Sequence, residues 1–144
     1  MAPLVETTMQ DSVPFRPLQA VPILRIFDLA KAREFYLDFL GFTLDWEHHF
    51  DDVAPRYLQV SFGDLVLHLS EHYGDACPGS TVFVRVEGLR DYHRELTAKG
   101  YGYLRPGLEE TGHGSLGMQV TDPFGNRLRF DEALPDPVDA TTDA

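Results

Sequence analysis

The sequence predicts an α+β fold built from two βαβββ modules, and three observations lead there. The stretch "VPILRIFDLAKAREFYLDFLGFTL" from Val21 is matched by "TVFVRVEGLRDYHRELTAKGYGYL" from Thr81, sixty positions on, in the order strand, helix, glycine, strand. Further along each half, "LQVSFGDLVLHL" from Leu58 is matched by "MQVTDPFGNRLRF" from Met118, with two residues added in the turn. Each half alone is too short to close a stable core, so 144 residues read as one domain holding a pair of modules.

The elements follow in order. The first 17 residues hold three prolines and no sustained period, and residues 1–18 are read as a tail. The first module spans 19–76. Its helix is capped by Asp28, carries the apolar stripe Leu29, Ala32, Phe35, Tyr36, Phe39 and Leu40, and stops at Gly41. The second module spans 77–132, with Leu89, Tyr92 and Leu96 on one helix face and a stop at Gly100. Residues 133–144, with three aspartates and no basic residue, are read as an acidic tail.

Alternation along the strands sorts their faces. Leu24, Ile26, Leu58, Val60, Leu65, Leu67 and Leu69 are expected under the first helix. Val82, Val84, Val86, Met118, Val120, Leu128 and Phe130 are expected under the second. The opposite face is left with Val21, Ile23, Arg25, Tyr57, Gln59, Ser61, Val66, His68 and Ser70. In the second module it holds Thr81, Phe83, Arg85, Gln119, Thr121, Arg127, Arg129 and Asp131. This mixture of aromatic, amide, imidazole and guanidinium groups is too polar for a core. It predicts two curved sheets facing each other around a wet cleft, the alternative being an ordinary solvent-facing sheet.

Composition narrows the partners. A net charge of −11 argues against nucleic acid or an anionic membrane and suits cationic small molecules or plain solubility. No apolar run approaches the roughly 18 residues of a membrane span, and "MAPLVETTMQDS" lacks a signal-peptide layout. The one cysteine, Cys77, has no internal partner, so a reducing cytoplasm is expected and no catalytic role is assigned to the thiol.

The stretches "VPILRIFDLAKAREFYLDFLGF", "GDLVLHLSEH" and "VTDPFGNRLRFDE" together resemble the vicinal-oxygen-chelate group, which includes glyoxalase I, extradiol dioxygenases, fosfomycin-resistance enzymes and bleomycin-resistance proteins. The resemblance covers Ala20 to Glu132. The nearest pattern is the glyoxalase-like, bleomycin-resistance-like branch, in which "FLGF..DWEH", "LVLHLSEH.GD" and "DPFGNRL.F.E" recur. It implies U-shaped mixed sheets and a homodimer with ligand clefts at or near the interface.

In metal-dependent members, the resemblance places ligands at positions matching Val21, His68, Thr81 and Arg129. Only His68 is a ready donor: valine has none, neutral threonine is a poor one, and arginine is always protonated. No metal or other cofactor is therefore expected. Other histidines do not repair the set. His48 and His49 are adjacent and point to opposite faces of a strand. His72 lies beyond the strand that carries His68. His93 is expected at the helix surface, and His113 stands where relatives carry tryptophan, which weakens any stacking role taken over from them.

The expected function is metal-free binding and sequestration of a small molecule, a bleomycin-type glycopeptide being one candidate. The candidate binding residues are Arg25, Trp46, His48, Tyr57, Gln59, His68, Arg85, His113, Gln119 and Arg129. Four cleft arginines (Arg25, Arg85, Arg127 and Arg129) instead favour a carboxylate, phosphate or enolate-like oxygen, unless Glu87, Asp131 or acids of "DWE" and "FDD" neutralise them. Two other readings stay open. One is a metal-independent lyase or isomerase with His68 as general base and Arg129 or Arg85 as oxyanion stabiliser. The other is a dimeric interaction domain with a vestigial pocket.

Overall fold

In a computed structural model of the chain, which describes residues 14–49, 55–102 and 104–135, Asp28 starts the first helix as its sequence context predicts. Its backbone is extended, and its carboxylate accepts from the Lys31 N–H at 3.0 Å. The helix is not uniform. Its α-helical part, α1, covers Leu29–Arg33 and then widens into a π-helical stretch over Glu34–Phe39. There the Leu40 N–H donates to Phe35 O at 2.9 Å. A wider turn rotates less per residue, which gathers Phe35, Tyr36, Phe39 and Leu40 onto a narrower arc, and all four are buried.

The first module closes around this helix. Strands β1 (Ile23–Arg25), β2 (Thr43–His48), β3 (Tyr57–Phe62) and β4 (Leu65–Ser70) form one sheet in the order β1-β4-β3-β2, with β1 parallel to β4. The second module repeats the plan with β5 (Thr81–Arg85), α2 (Leu89–Lys99), β6 (Leu108–Glu110), β7 (Ser115–Thr121) and β8 (Arg127–Ala133), in the order β5-β8-β7-β6. These two mixed four-stranded sheets with their helices are the α+β architecture expected from the repeat. Predicted core positions Leu24, Ile26, Leu58, Val60, Leu67, Leu69, Met118, Val120, Leu128 and Phe130 are all buried, while Leu65, Val82, Val84 and Val86 pack half-buried against them.

Four expectations need correction. A strand was expected at "YGYL", straight after Gly100, but the strand in that place, β6, begins only at Leu108. Pro106, just before it, has no N–H to give a ladder. His93 is half-buried rather than on the surface, its Nε2 donating to Pro106 O at 2.9 Å. Ser70 keeps its place on the cleft face, opposite Tyr57, but is fully buried there rather than open to the cleft, and donates to Asp75 at 2.6 Å. The acidic tail begins later than predicted: Ala133 ends β8, and Leu134 packs against the core with its N–H on Gly114 O at 3.0 Å. The rest of that tail beyond Pro135, and residues 1–13, lie outside the described residues.

Helix α2 starts at Gly88, whose φ of 78° suits glycine and which has no side chain to cap with. Glu132 of β8 does this instead, its carboxylate accepting from the Gly88 and Leu89 N–H groups at 3.2 and 3.0 Å. No helix among the described residues is long and apolar enough to cross a membrane.

The "DPFGN" turn between β7 and β8 joins the modules. Asp122 and Asn126 are buried. Asp122 accepts from the Phe124 and Asn126 backbones, the Asn126 side chain and, at 2.7 Å, the Tyr36 hydroxyl of the first module. Asn126 Nδ2 also donates to Arg25 O at 2.7 Å. A buried carboxylate without such donors is costly, so these bonds fix how one module sits against the other.

Candidate functional site

Asp45 is an extra residue in β2. Leu44 pairs with Val60 and Trp46 with Gln59, leaving Asp45 without a partner in the ladder. Asp45 and Trp46 consequently serve the same sheet face. The Asp45 carboxylate accepts from Gln59 Nε2 at 3.1 Å and from Ser61 Oγ at 3.0 Å. Gln59 lies directly opposite His68 on β4, and its Oε1 is 2.9 Å from His68 Nε2. The other ring nitrogen, Nδ1, is 2.6 Å from the Tyr57 hydroxyl.

Aromatic rings surround this chain of bonds. The Trp46 and Tyr57 rings are nearly parallel, 10° apart in plane with centroids 6.0 Å apart, and the His68 ring meets both edge-on. His48 lies against Trp46, with centroids 5.0 Å apart. Trp46, His48 and Tyr57 line a cavity of about 670 Å³, closed by Arg56, Ser70, His72 and Asp75. Burial holds the His68 imidazole below its ordinary value of 6.5. Burial, then the nearby Asp75 carboxylate, raises the Tyr57 hydroxyl above 10.0.

The second module carries its own concave site. Arg129 sits between Phe83 and Gln119 across neighbouring strands, and its Nε donates to Gln119 Oε1 at 2.9 Å. Phe83, 57% exposed, presents a large apolar surface beside it. Gln119, Arg129, Phe83 and His113 line a cavity of about 890 Å³ together with Ser115 and Asp131. Asp131 accepts from Ser115 Oγ at 2.8 Å.

The ten candidates therefore fall into two groups. Trp46, His48, Tyr57, Gln59 and His68 share the first module's concave face, and His113, Gln119 and Arg129 share the second's. Within one chain each of the two cavities is lined by a single module. Arg25 and Arg85 line neither. Arg25 donates to Glu71 O at 3.3 Å, and its guanidinium lies 4.3 Å from the centre of the Phe27 ring. Arg85 lies over Phe83 at 5.9 Å and also borders a smaller apolar crevice of about 300 Å³ between the modules, beside Phe62 and Tyr92.

None of the four cleft arginines pairs with a carboxylate among the described residues, where ion pairs involve Arg33, Arg56, His72 and Arg94. Arg127 donates to Thr81 Oγ1 at 3.0 Å, and Glu47 of "DWE" pairs with Arg33 and Arg56. Of "FDD", residues 50–52 lie outside the described residues. At the four positions compared with metal ligands, Val21 brings no donor, Thr81 is engaged by Arg127, Arg129 by Gln119, and both His68 nitrogens are bonded. No cluster of three or more histidine, cysteine or acidic side chains among the described residues is placed to hold an ion. Asp45 and Asp75 escaped the sequence-based list because a bulge and a loop turn, unlike alternation, leave no periodic signal.

Comparison with known proteins agrees with this architecture. The chain is 26% identical over 131 residues to the bleomycin resistance proteins of Geobacillus stearothermophilus and Staphylococcus aureus, covering 78% of this chain and 95% of each relative. A crystal structure of a bleomycin-binding protein complexed with bleomycin superposes with a TM-score of 0.62 at 26% identity, over 81% of this chain and 98% of that one. The bleomycin resistance determinant encoded on the transposon Tn5 superposes with the same TM-score, 0.62, at 25% identity and the same coverage, 81% and 98%. A family model described as glyoxalase superfamily protein matches residues 5–136. With its paired βαβββ modules and a family match over nearly its whole length, the chain belongs to the glyoxalase superfamily and has the vicinal-oxygen-chelate fold.

Proposed function

We propose that the protein binds a small molecule on these concave faces and sequesters it without chemical change, as similarity to bleomycin-binding proteins suggests. The observation that carries the reading is the ring of Trp46, His48 and Tyr57 around a cavity of about 670 Å³, a volume within the usual range for ligand pockets. The second face complements it, with Arg129, unpaired with any carboxylate among the described residues, beside exposed Phe83. In a homodimer the first face of one copy meets the second face of its partner, which gives a ligand an aromatic, acceptor-rich wall opposite a cationic one. The cytoplasm is the compartment this reading assumes.

The binding uses no metal. Arg129 carries a fixed positive charge where a donor is needed, and a His68 ligated to an ion must give up a bond to Tyr57 or Gln59. Stoichiometric zinc, nickel or iron retained through dialysis would overturn this part.

Trp46 is the only tryptophan in the chain, so its fluorescence reports on the first face directly. Titration of the purified protein with bleomycin is expected to quench it saturably, with sedimentation showing a dimer. An unchanged Trp46 signal up to millimolar bleomycin sinks the glycopeptide as ligand.

A further inference from the structure

Four side chains on the first concave face form a single directed chain, and its direction is fixed at one end. Asp45, as a carboxylate, only accepts, and Ser61 Oγ already donates to its other oxygen at 3.0 Å. Gln59 must therefore turn its amide N–H toward Asp45, which leaves Oε1 for His68. An acceptor at 2.9 Å from Nε2 requires that nitrogen to carry the imidazole proton. A neutral imidazole has one proton, so Nδ1 is an acceptor, and the Tyr57 hydroxyl at 2.6 Å must donate to it. Burial keeps His68 neutral at neutral pH, and Tyr57 keeps its proton.

We infer that Tyr57 is locked as a one-way hydrogen-bond acceptor toward the cavity, so that the first concave face selects ligands offering an N–H or O–H to its oxygen. The proton of Tyr57 is committed to His68, and only lone pairs remain for a ligand. The opposite tautomer reverses the polarity: with Nδ1–H, Tyr57 accepts from His68 and turns its own O–H outward. The rest of the cavity wall adds acceptor character beside Tyr57. Asp75, close enough to raise Tyr57, lines the same cavity as a second acceptor, and Arg56 is paired with Glu47. His72 Nδ1 accepts from the Gly74 N–H at 3.0 Å. His68 is here a positioning residue, and Asp45 sets its tautomer through Gln59. The inference rests on reading this face as a ligand site, and it goes further by stating the hydrogen-bond sense of the ligand.

Two measurements on the full chain test it without a known ligand. Long-range ¹H–¹⁵N correlation of histidine-labelled protein at neutral pH is expected to show His68 as the Nε2–H tautomer, with Asp45→Ala losing that single state. A dominant Nδ1–H tautomer in the native chain overturns the inference. The second uses phenol and anisole, neutral probes with the same ring and oxygen, of which only phenol has a donor. Phenol is expected to shift the Trp46 indole signal with about three- to tenfold higher affinity than anisole, the worth of one hydrogen bond. Tyr57→Phe is expected to reduce the difference, Asp75 and the freed His68 Nδ1 remaining as acceptors. Equal affinities in the native chain, or a preference that Tyr57→Phe leaves unchanged, overturn it. A chain that prefers phenol yet ignores bleomycin retains this inference while losing the glycopeptide reading.

Discussion

The hydroxyl of Tyr36 donates to Asp122 Oδ2 at 2.7 Å, joining the first module's helix to the turn that closes the second module's sheet, 86 positions away. Both residues are buried, and Asp122 gathers three further donors from Phe124 and Asn126. Tyr36→Phe removes one donor from a buried carboxylate. The expected cost is about 1–3 kcal/mol of stability, read as a lower urea midpoint. Asp122→Ala, which strands several donors at once, is expected to cost more than Tyr36→Phe. Equal midpoints for native protein and Tyr36→Phe would show that the bond does not hold the modules together.

The same carboxylate gives a pH dependence. Burial raises Asp122 above its ordinary 3.8, against the lowering effect of its hydrogen bonds. With the folded pKa above the unfolded one, folding favours the protonated form. That contribution is full below 3.8 and is lost as pH rises through the folded pKa. Tyr36→Phe removes a bond that favours the charged form, so the loss extends to higher pH. Urea midpoints of the two proteins are expected to converge toward acid pH, with a constant gap counting against the assignment.

His68 runs the other way. Burial holds it below 6.5, so folding favours the neutral ring. Its contribution is full above 6.5 and declines as pH falls through the folded pKa. The His68 ring carbons are expected to titrate by NMR with a midpoint below 6.5. A midpoint at or above that value contradicts the burial described for the ring.

Glu132 caps α2 from another element. Glu132→Ala leaves the Gly88 and Leu89 N–H groups without this partner, at an expected cost of about 1 kcal/mol. Thermal melting reads the change. Glu132→Gln, which keeps an acceptor oxygen, is expected to recover part of it, and a neutral outcome for Glu132→Ala would remove the cap from the account.

Arg129 is bonded within its own sheet, to Gln119, and is not a strut between sheets. Arg129→Glu is expected to leave the melting temperature within about a degree, because an exposed side-chain bond contributes little. It is also expected to change bleomycin affinity by tenfold or more through reversal of the charge on the second face. An unaltered bleomycin titration would remove Arg129 from the ligand site.

How much was legible in advance differs between elements. The two modules, their strand faces and the helix stops at Gly41 and Gly100 follow from alternation, repeat and glycine placement, all local properties of the chain. The cleft composition was readable for the same reason: Tyr57, Gln59, His68, Gln119 and Arg129 sit at positions two apart or directly paired. The bulge at Asp45 was not, since an extra residue breaks the period that would announce it. The late start of β6 was likewise hidden, because the repeat suggested a strand at once after the helix.

The pair of βαβββ modules with mixed polar and aromatic faces is written into the chain, because strand periodicity and turn chemistry act over a few residues. What those faces do depends on how the folded chain brings them together. Folding gave each module a cavity of its own, left the arginines without carboxylate partners among the described residues, and made the "DPFGN" turn a clamp on Tyr36 and Arg25. It also arranged Asp45, Gln59, His68 and Tyr57 in one line of hydrogen bonds. These depend on which atoms come within three ångströms across strands and modules, and no periodicity in the chain encodes that distance.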